Sequence, residues 1–289
     1  MRRILAGVIL LILYGSLYPW HFVSSPEKGI LVWPHTLDRG DVLVNVLLYI
    51  PLGACAYLAF PKLRRMRFVV PVTLALSLSL SVEMTQAFEP VRSSQLSDVI
   101  ANIAGGAIGM VLAAFVPLPL TAESFLLVSW VAHLLFFGSS WWPIELAGWL
   151  VVASAVMPSR SMRWRWPVAV ACYAAILLHG LAPFRFVPTA SHFNWLPFEA
   201  FILSQWESMI PILMAKLFWY SAAVWVLWRV GCSWMAAGVS AACFLGAIEL
   251  AQRHIPPHVS EITDPLIALL LAAAFASLLS KTRAAEVRT

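Results

Sequence analysis

Seven polar residues set into apolar runs are the part of this sequence that could do chemistry. Asp41 and Asn45 are four apart, Glu83 and Gln86 three apart, and Asp98 and Asn102 four apart. Each spacing puts two side chains on one face of a helix. Arg92 stands between the last two pairs, in a short stretch rich in polar residues. An ionisable group inside a membrane helix costs about 2.5–3.5 kcal/mol on insertion scales, so the cluster needs a reason to exist. Glu83 could be a general base or a proton carrier. Arg92 could pair with Glu83 or Asp98, or hold a phosphate or carboxylate bidentately. Asn45, Gln86 and Asn102 could orient a ligand or a water. The same residues could also form an ion-pair network that only locks three helices and a loop.

The elements that carry them are set by composition. Of 289 residues, 61% are hydrophobic and 11% charged, and the mean hydropathy is +0.83. So little charge cannot cover a soluble surface, where about 25% is usual. A cytosolic enzyme and a disordered chain are both excluded. The net charge of +5 comes from short basic clusters between apolar runs, as in loops flanking membrane spans, and is no nucleic-acid signal. Ten spans are expected, near 4–20, 41–60, 68–88, 96–116, 121–138, 141–157, 167–183, 208–228, 232–252 and 262–280. Pro117, Pro119, Pro143, Pro158 and Pro167 punctuate their ends. Gly138-Ser139-Ser140 is a hinge or turn between the fifth and sixth. The first run lacks a small-residue cleavage site before Tyr18-Pro19-Trp20, so it reads as a retained helix and not a signal peptide.

Orientation follows from the basic residues. With the N-terminus inside, thirteen Lys and Arg fall on the cytoplasmic side and five (Lys28, Arg39, Arg92, Arg185, Arg253) outside. The positive-inside rule then places both termini in the cytoplasm of a bacterial inner membrane protein. The seven polar residues converge just below the external interface.

The two ends of the chain resemble each other. Glu83, Gln86, Pro90 and Asp98 recur as Glu249, Gln252, Pro256 and Asp264, all shifted by 166. Residues 14–22 match 178–186 more loosely. The fold expected is an all-α polytopic transmembrane helix bundle: a first four-helix repeat (1–117), a two-helix connector (118–160), a second repeat (161–281) and a tail (282–289). An even number of spans between equivalent elements makes this a parallel duplication. The second copy reads as degraded, because Arg92 becomes His258 and Asn102 becomes Ala268. Asn45 falls near Lys216 at a different offset.

Other polar residues carry weaker signals. Pro256 and Pro257 intervene between His254 and His258, so no metal site is expected there. No cofactor fingerprint stands out. Cys55, Cys172, Cys232 and Cys243 lie in apolar runs without a CxxC pair. His133 and His179 read as helix-contact histidines. Lys216 either pairs with Glu249 or snorkels to an interface. Ala101, Gly105 and Gly109 form a small-residue stripe for close helix packing, as do Ala268, Ala272 and Ala276. The tryptophans, Trp164, Trp166, Trp195, Trp219 and Trp225 among them, suggest an interfacial belt. The segment 184–206 is amphipathic in parts and suits a surface lid or a re-entrant piece.

Taken together, Asp41-x3-Asn45-Val-Leu-Leu-Tyr-Ile-Pro51-Leu-Gly53, Ser81-Val-Glu83-x2-Gln86-x3-Pro90-x-Arg92 and Asp98-Val-Ile-x-Asn102-x2-Gly105-x3-Gly109 resemble the VanZ-like family over residues 41–112. Ser93-Ser94-Gln95 stands where that family often has a further Asp. The family is named for a membrane protein associated with low-level resistance to teicoplanin. The resemblance implies an integral membrane protein of the bacterial envelope, and no particular activity.

Three functions are compatible with these residues. One is a module that binds or translocates the head group of an envelope lipid or lipid-linked sugar, affecting glycopeptide susceptibility. Another is a membrane enzyme using Glu83 and Asp98 in acid/base chemistry. The last is a helical scaffold partner of envelope-polysaccharide machinery. The expected partners are membrane lipids and a lipid-linked precursor.

Overall fold

Apolar runs bounded by Pro, Gly and polar residues become helices because a buried or lipid-facing backbone must satisfy its own hydrogen bonds. The computed structural model of the chain describes residues 1–26, 28–34, 36–63, 65–116, 121–137, 142–156 and 164–286. The Gly138-Ser139-Ser140 hinge and Pro117, Pro119 and Pro158 lie outside them. The chain divides into two units, Met1–Leu118 and Pro119–Thr289.

The N-terminal unit holds α1 (Arg2–Ser16), α2 (Arg39–Ala59), a 3-10 turn (Pro61–Leu63), α3 (Met66–Gln86) and α4 (Leu96–Phe115). Asp38 caps α2, its carboxylate accepting from the Gly40 N–H at 2.8 Å. The closest helix pair is α2 and α4, which meet backbone to backbone. A Cβ on Gly53 would lie 1.9 Å from the Gly106 carbonyl oxygen, and one on Gly109 would lie 1.9 Å from that of Ile50. The small residues of the α4 stripe thus serve packing. Leu5 and Ile12 of α1 join Tyr49, Leu52 and Ala56 of α2 and Ala75 of α3 in one core cluster.

The C-terminal unit holds α5 (Ala122–Phe137), α6 (Trp142–Val156), α7 (Arg165–Leu181), β1 (Phe193–Asn194), α8 (Glu199–Leu203), α9 (Trp206–Arg229), α10 (Trp234–Gln252), β2 (Ser260–Glu261) and α11 (Thr263–Glu286). Helix α9 is its axis. It packs against α5, α7, α10 and α11, which buries Phe218, Ala222, Ala223, Val224 and Trp225. Helix α6 packs on α5 and α7. The two connector helices are therefore part of this unit's packing.

Helices occupy all ten expected segments. Those long and apolar enough to cross a membrane are α2, α3, α4, α10 and most of α9 (Glu207–Arg229), with shorter apolar stretches in α5, α6, α7 and α11. The chain is an all-α membrane protein. Helix α1 is shorter than expected and ends at Ser16. Leu17 closes its last turn onto Leu13, and Trp20 takes a left-handed φ of 62° that helical continuation cannot use. The amphipathic segment 184–206 contains the one-turn helix α8 and the strand β1. Trp164, Trp166 and Trp195 are exposed, whereas Trp219 and Trp225 are buried because α9 is enclosed by other helices.

Candidate functional site

In the N-terminal unit the last turns of α3 bring Glu83 and Gln86 inward, both buried. Glu83 Oε2 accepts the Gln95 N–H at 2.7 Å, which ties the end of α3 to the start of α4. Gln86 donates its amide to the Ser16 carbonyl at the end of α1, also at 2.7 Å. Asn102 donates to Ser79 Oγ at 2.9 Å, bridging α4 and α3 in the core. Asp41 and Glu83 are each within electrostatic reach of Arg92, and Asp98 is within reach of both Asp41 and Glu83. Asp98 is half-buried near Ser97, Asn45 is half-buried, and Asp41 is exposed.

Arg92 forms no ion pair with Glu83 or Asp98, contrary to one expectation. Its Nε donates to the Tyr18 carbonyl at 3.1 Å. The reason is local. The Glu89–Arg92 turn and the bond between Val23 N–H and the Phe88 carbonyl hold this loop against the end of α1.

Sequence reasoning missed Glu89, which is 2% exposed with neither carboxylate oxygen hydrogen-bonded. At the shift of 166 its counterpart is Ile255, 1% exposed. A buried, unpaired carboxylate is costly, and an apolar residue of similar volume removes the cost. Glu89→Ile is therefore expected to stabilise the N-terminal unit by about 1–4 kcal/mol, read as a higher unfolding midpoint in detergent. An unchanged or lower midpoint would mean that Glu89 is satisfied in some other way.

The C-terminal unit repeats three of these hydrogen bonds at corresponding positions. Glu249 Oε2 accepts the Glu261 N–H at 2.8 Å, as Glu83 does from Gln95. Gln252 donates to the Gly180 carbonyl at 2.8 Å, as Gln86 does to Ser16. His258 Nε2 lies 2.6 Å from the Ala182 carbonyl, the place of Arg92 on Tyr18. Phe184 has a φ of 61°, matching Trp20. The parallel bridge between Val32 and Gln95 has its counterpart in β1 and β2, where Asn194 pairs with Glu261. The change from Arg92 to His258, which reads as decay in the sequence, keeps the donor and its target.

What differs is the charge set and the space beside it. Lys216 of α9 reaches Asp264 Oδ1 at 2.5 Å and Glu261 Oε1 at 3.5 Å. It does not pair with Glu249, whose Oε2 is held by the Glu261 backbone. Tyr220, one turn on, donates its hydroxyl to the other Asp264 oxygen. Burial raises the pKa of Glu261, in the loop between α10 and α11, while the nearby Lys216 ammonium pulls it back.

Beside these groups lies a cavity of about 220 Å³. Its polar lining includes Lys216, Glu249, Gln252, His258 and Asp264, and its apolar wall includes Ile176, Ile212 and Trp219. The four residues of the C-terminal unit singled out in the sequence, Glu249, Gln252, His258 and Asp264, thus line one space. Tyr220 and Glu261 were missed. The pair Asn45 and Tyr49 against Lys216 and Tyr220, each four apart and shifted by 171, is the signal that could have found Tyr220. Among the described residues no group of three or more His, Cys, Asp and Glu is arranged to hold a metal ion. His133 approaches Glu145 at 3.8 Å across α5 and α6, a helix contact remote in sequence from the cavity lining.

Helices of this length and hydropathy, with ionisable residues turned inward at their ends, define an integral membrane protein. Residues 4–117 match the family model described as VanZ/LLP1, so the N-terminal unit is similar to the VanZ-like family. Neither the curated proteins nor the solved structures gave a match to the chain.

Proposed function

We propose that this protein is a bacterial inner-membrane module, both termini cytoplasmic, that binds the polar head group of an envelope lipid or lipid-linked sugar and thereby affects susceptibility to glycopeptides of the teicoplanin type. The observation that carries this reading is the cavity of the C-terminal unit, lined both by apolar residues such as Ile176, Ile212 and Trp219 and by Lys216, Glu249, Gln252, His258 and Asp264. A space with both characters suits an amphiphile whose head is polar and whose tail stays in lipid. A single water needs only about 10–15 Å³ of such a space, so one of about 220 Å³ admits a head group. We also read the two units as copies of one four-helix ancestor. The support is the set of hydrogen bonds that recurs at shifts of 166 and 164 residues.

The test is complementation. A deletion strain is restored with wild type, Glu249→Gln, Asp264→Asn, Glu83→Gln or Arg92→Ala, and drug sensitivity is scored beside the amount of protein in the membrane. Glu249→Gln still accepts the Glu261 N–H, so it should be abundant and inactive. If every variant that loses function also loses abundance, the polar residues are a scaffold. If Glu249→Gln is fully active, the cavity is not the site.

A further inference from the structure

The lining of the C-terminal cavity is balanced in charge, and that balance selects among head groups. Lys216 supplies one positive charge and pairs with Asp264. Asp264 is also hydrogen-bonded to Glu249. A hydrogen bond between two carboxyl groups needs one proton, so Glu249 and Asp264 together carry a single negative charge. Glu261, the other partner of Lys216, does not line the space. With the histidines neutral, the lining has no net charge. Its polar groups both donate and accept. Lys216 has three N–H groups for two carboxylates. The Gln252 amide N–H is spent on the Gly180 carbonyl, which leaves its Oε1 to accept. His258 uses Nε2 on the Ala182 carbonyl and keeps Nδ1. His179 adds an imidazole that donates or accepts according to its tautomer. Trp219 contributes an aromatic surface to the wall.

Resting on the head-group reading above, we propose that the head group taken by this cavity is a neutral sugar ring. Each sugar hydroxyl both donates and accepts, so it matches a lining of both kinds and brings no charge. The C–H face of the ring packs on the Trp219 indole, while the hydroxyls at its edge reach the polar groups. A phosphate would bring negative charge to a lining whose one cation is already paired. No arginine, the side chain suited to bidentate phosphate binding, lines the space. An alkylammonium would compete with Lys216 for the single negative charge of Glu249 and Asp264. Taking either ion out of water needs a counter-charge that a balanced lining does not supply. A sugar needs none. In a lipid-linked sugar the ring enters the cavity and any linking phosphate stays outside it.

The experiment is native mass spectrometry of the full chain in a polyoxyethylene detergent, which carries neither sugar nor charge. The chain is titrated with three ligands that share one tail: hexyl β-glucoside, hexyl phosphate and hexylammonium. Wild type is compared with Ala215→Leu and Ile212→Phe, both of which narrow the cavity. Ile212 is 40% exposed, so its replacement leaves the core intact where Ala215→Leu fails to fold. Wild type should hold one glucoside about tenfold more tightly than either charged ligand, the effect of one or two net hydrogen bonds. Each narrowed variant should hold the glucoside about tenfold more weakly than wild type. If a charged ligand binds as tightly as the glucoside or more so, and narrowing weakens it, the sugar is overturned and the head-group reading stands. If no ligand binds saturably, or neither variant changes the binding, both are overturned.

Discussion

Replacing Lys216 with Met is expected to lower the stability of the C-terminal unit by about 3–5 kcal/mol, the range for breaking a buried ion pair by removing one partner. Met keeps most of the side chain's length and apolar contact and removes only the charge. Asp264 would lose its 2.5 Å partner, and Glu261, 3% exposed, would lose its nearest cation. The cost arises because the buried Asp264 and Glu261 carboxylates would both lose their shared counter-charge. The measurement is thermal unfolding of the full chain in detergent, with membrane abundance beside it. Adding Asp264→Asn to Lys216→Met should recover part of the loss, since the Asn carbonyl still accepts from Tyr220 and one negative charge is gone. If Lys216→Met unfolds at the wild-type midpoint, the ion pairs of Lys216 with Asp264 and Glu261 do not hold this unit together.

The second large effect is expected in the N-terminal unit. Gly53→Ala or Gly109→Ala should each cost about 3 kcal/mol, the upper part of the usual range for overpacking. A methyl group at either position would sit 1.9 Å from a carbonyl oxygen of the facing helix, and backbone cannot yield as a side-chain tip can. Helices α2 and α4 would have to separate, which would spread the ends of α3 and α4 that hold Glu83 and Asp98. Gly7→Ala and Gly15→Ala are the controls. A Cβ there meets nothing within 4 Å, so better helix propensity should leave stability equal or slightly higher. Comparable losses in all four variants would show that the glycines act through helix propensity or insertion and not through contact.

The cavity lies among residues that looked degenerate. At the shift of 166, Gly105 and Gly109 become Leu271 and Phe275, and Asn102 becomes Ala268. These changes remove the close glycine contacts and the buried amide of the N-terminal unit. They leave untouched the two hooks that shape the end of the bundle, the Glu249 carboxylate on a loop N–H and the Gln252 amide on the carbonyl of Gly180, just before the end of α7. An altered residue type therefore says little about a lost function when the hydrogen bond it makes survives.

The sequence by itself determined the class of this protein. Hydropathy over runs of about 20 residues fixes where helices form, because in lipid each helix must satisfy its own backbone. The period of E-x-x-Q fixes that Glu83 and Gln86, and again Glu249 and Gln252, share a helix face. The spacing of Gly105 and Gly109 gave away a close helix contact. Only the tertiary structure decided the partners. Arg92 is 74 residues from the carbonyl it holds, and Lys216 is 48 from Asp264. No local rule chooses among Glu249, Glu261 and Asp264 for that lysine. The choice is made by packing, which brings the start of α11 and the loop before it to α9 while the Glu261 backbone takes the Glu249 carboxylate. The cavity is equally a tertiary product, since a space bounded by α7, α9, α10 and α11 belongs to none of them alone.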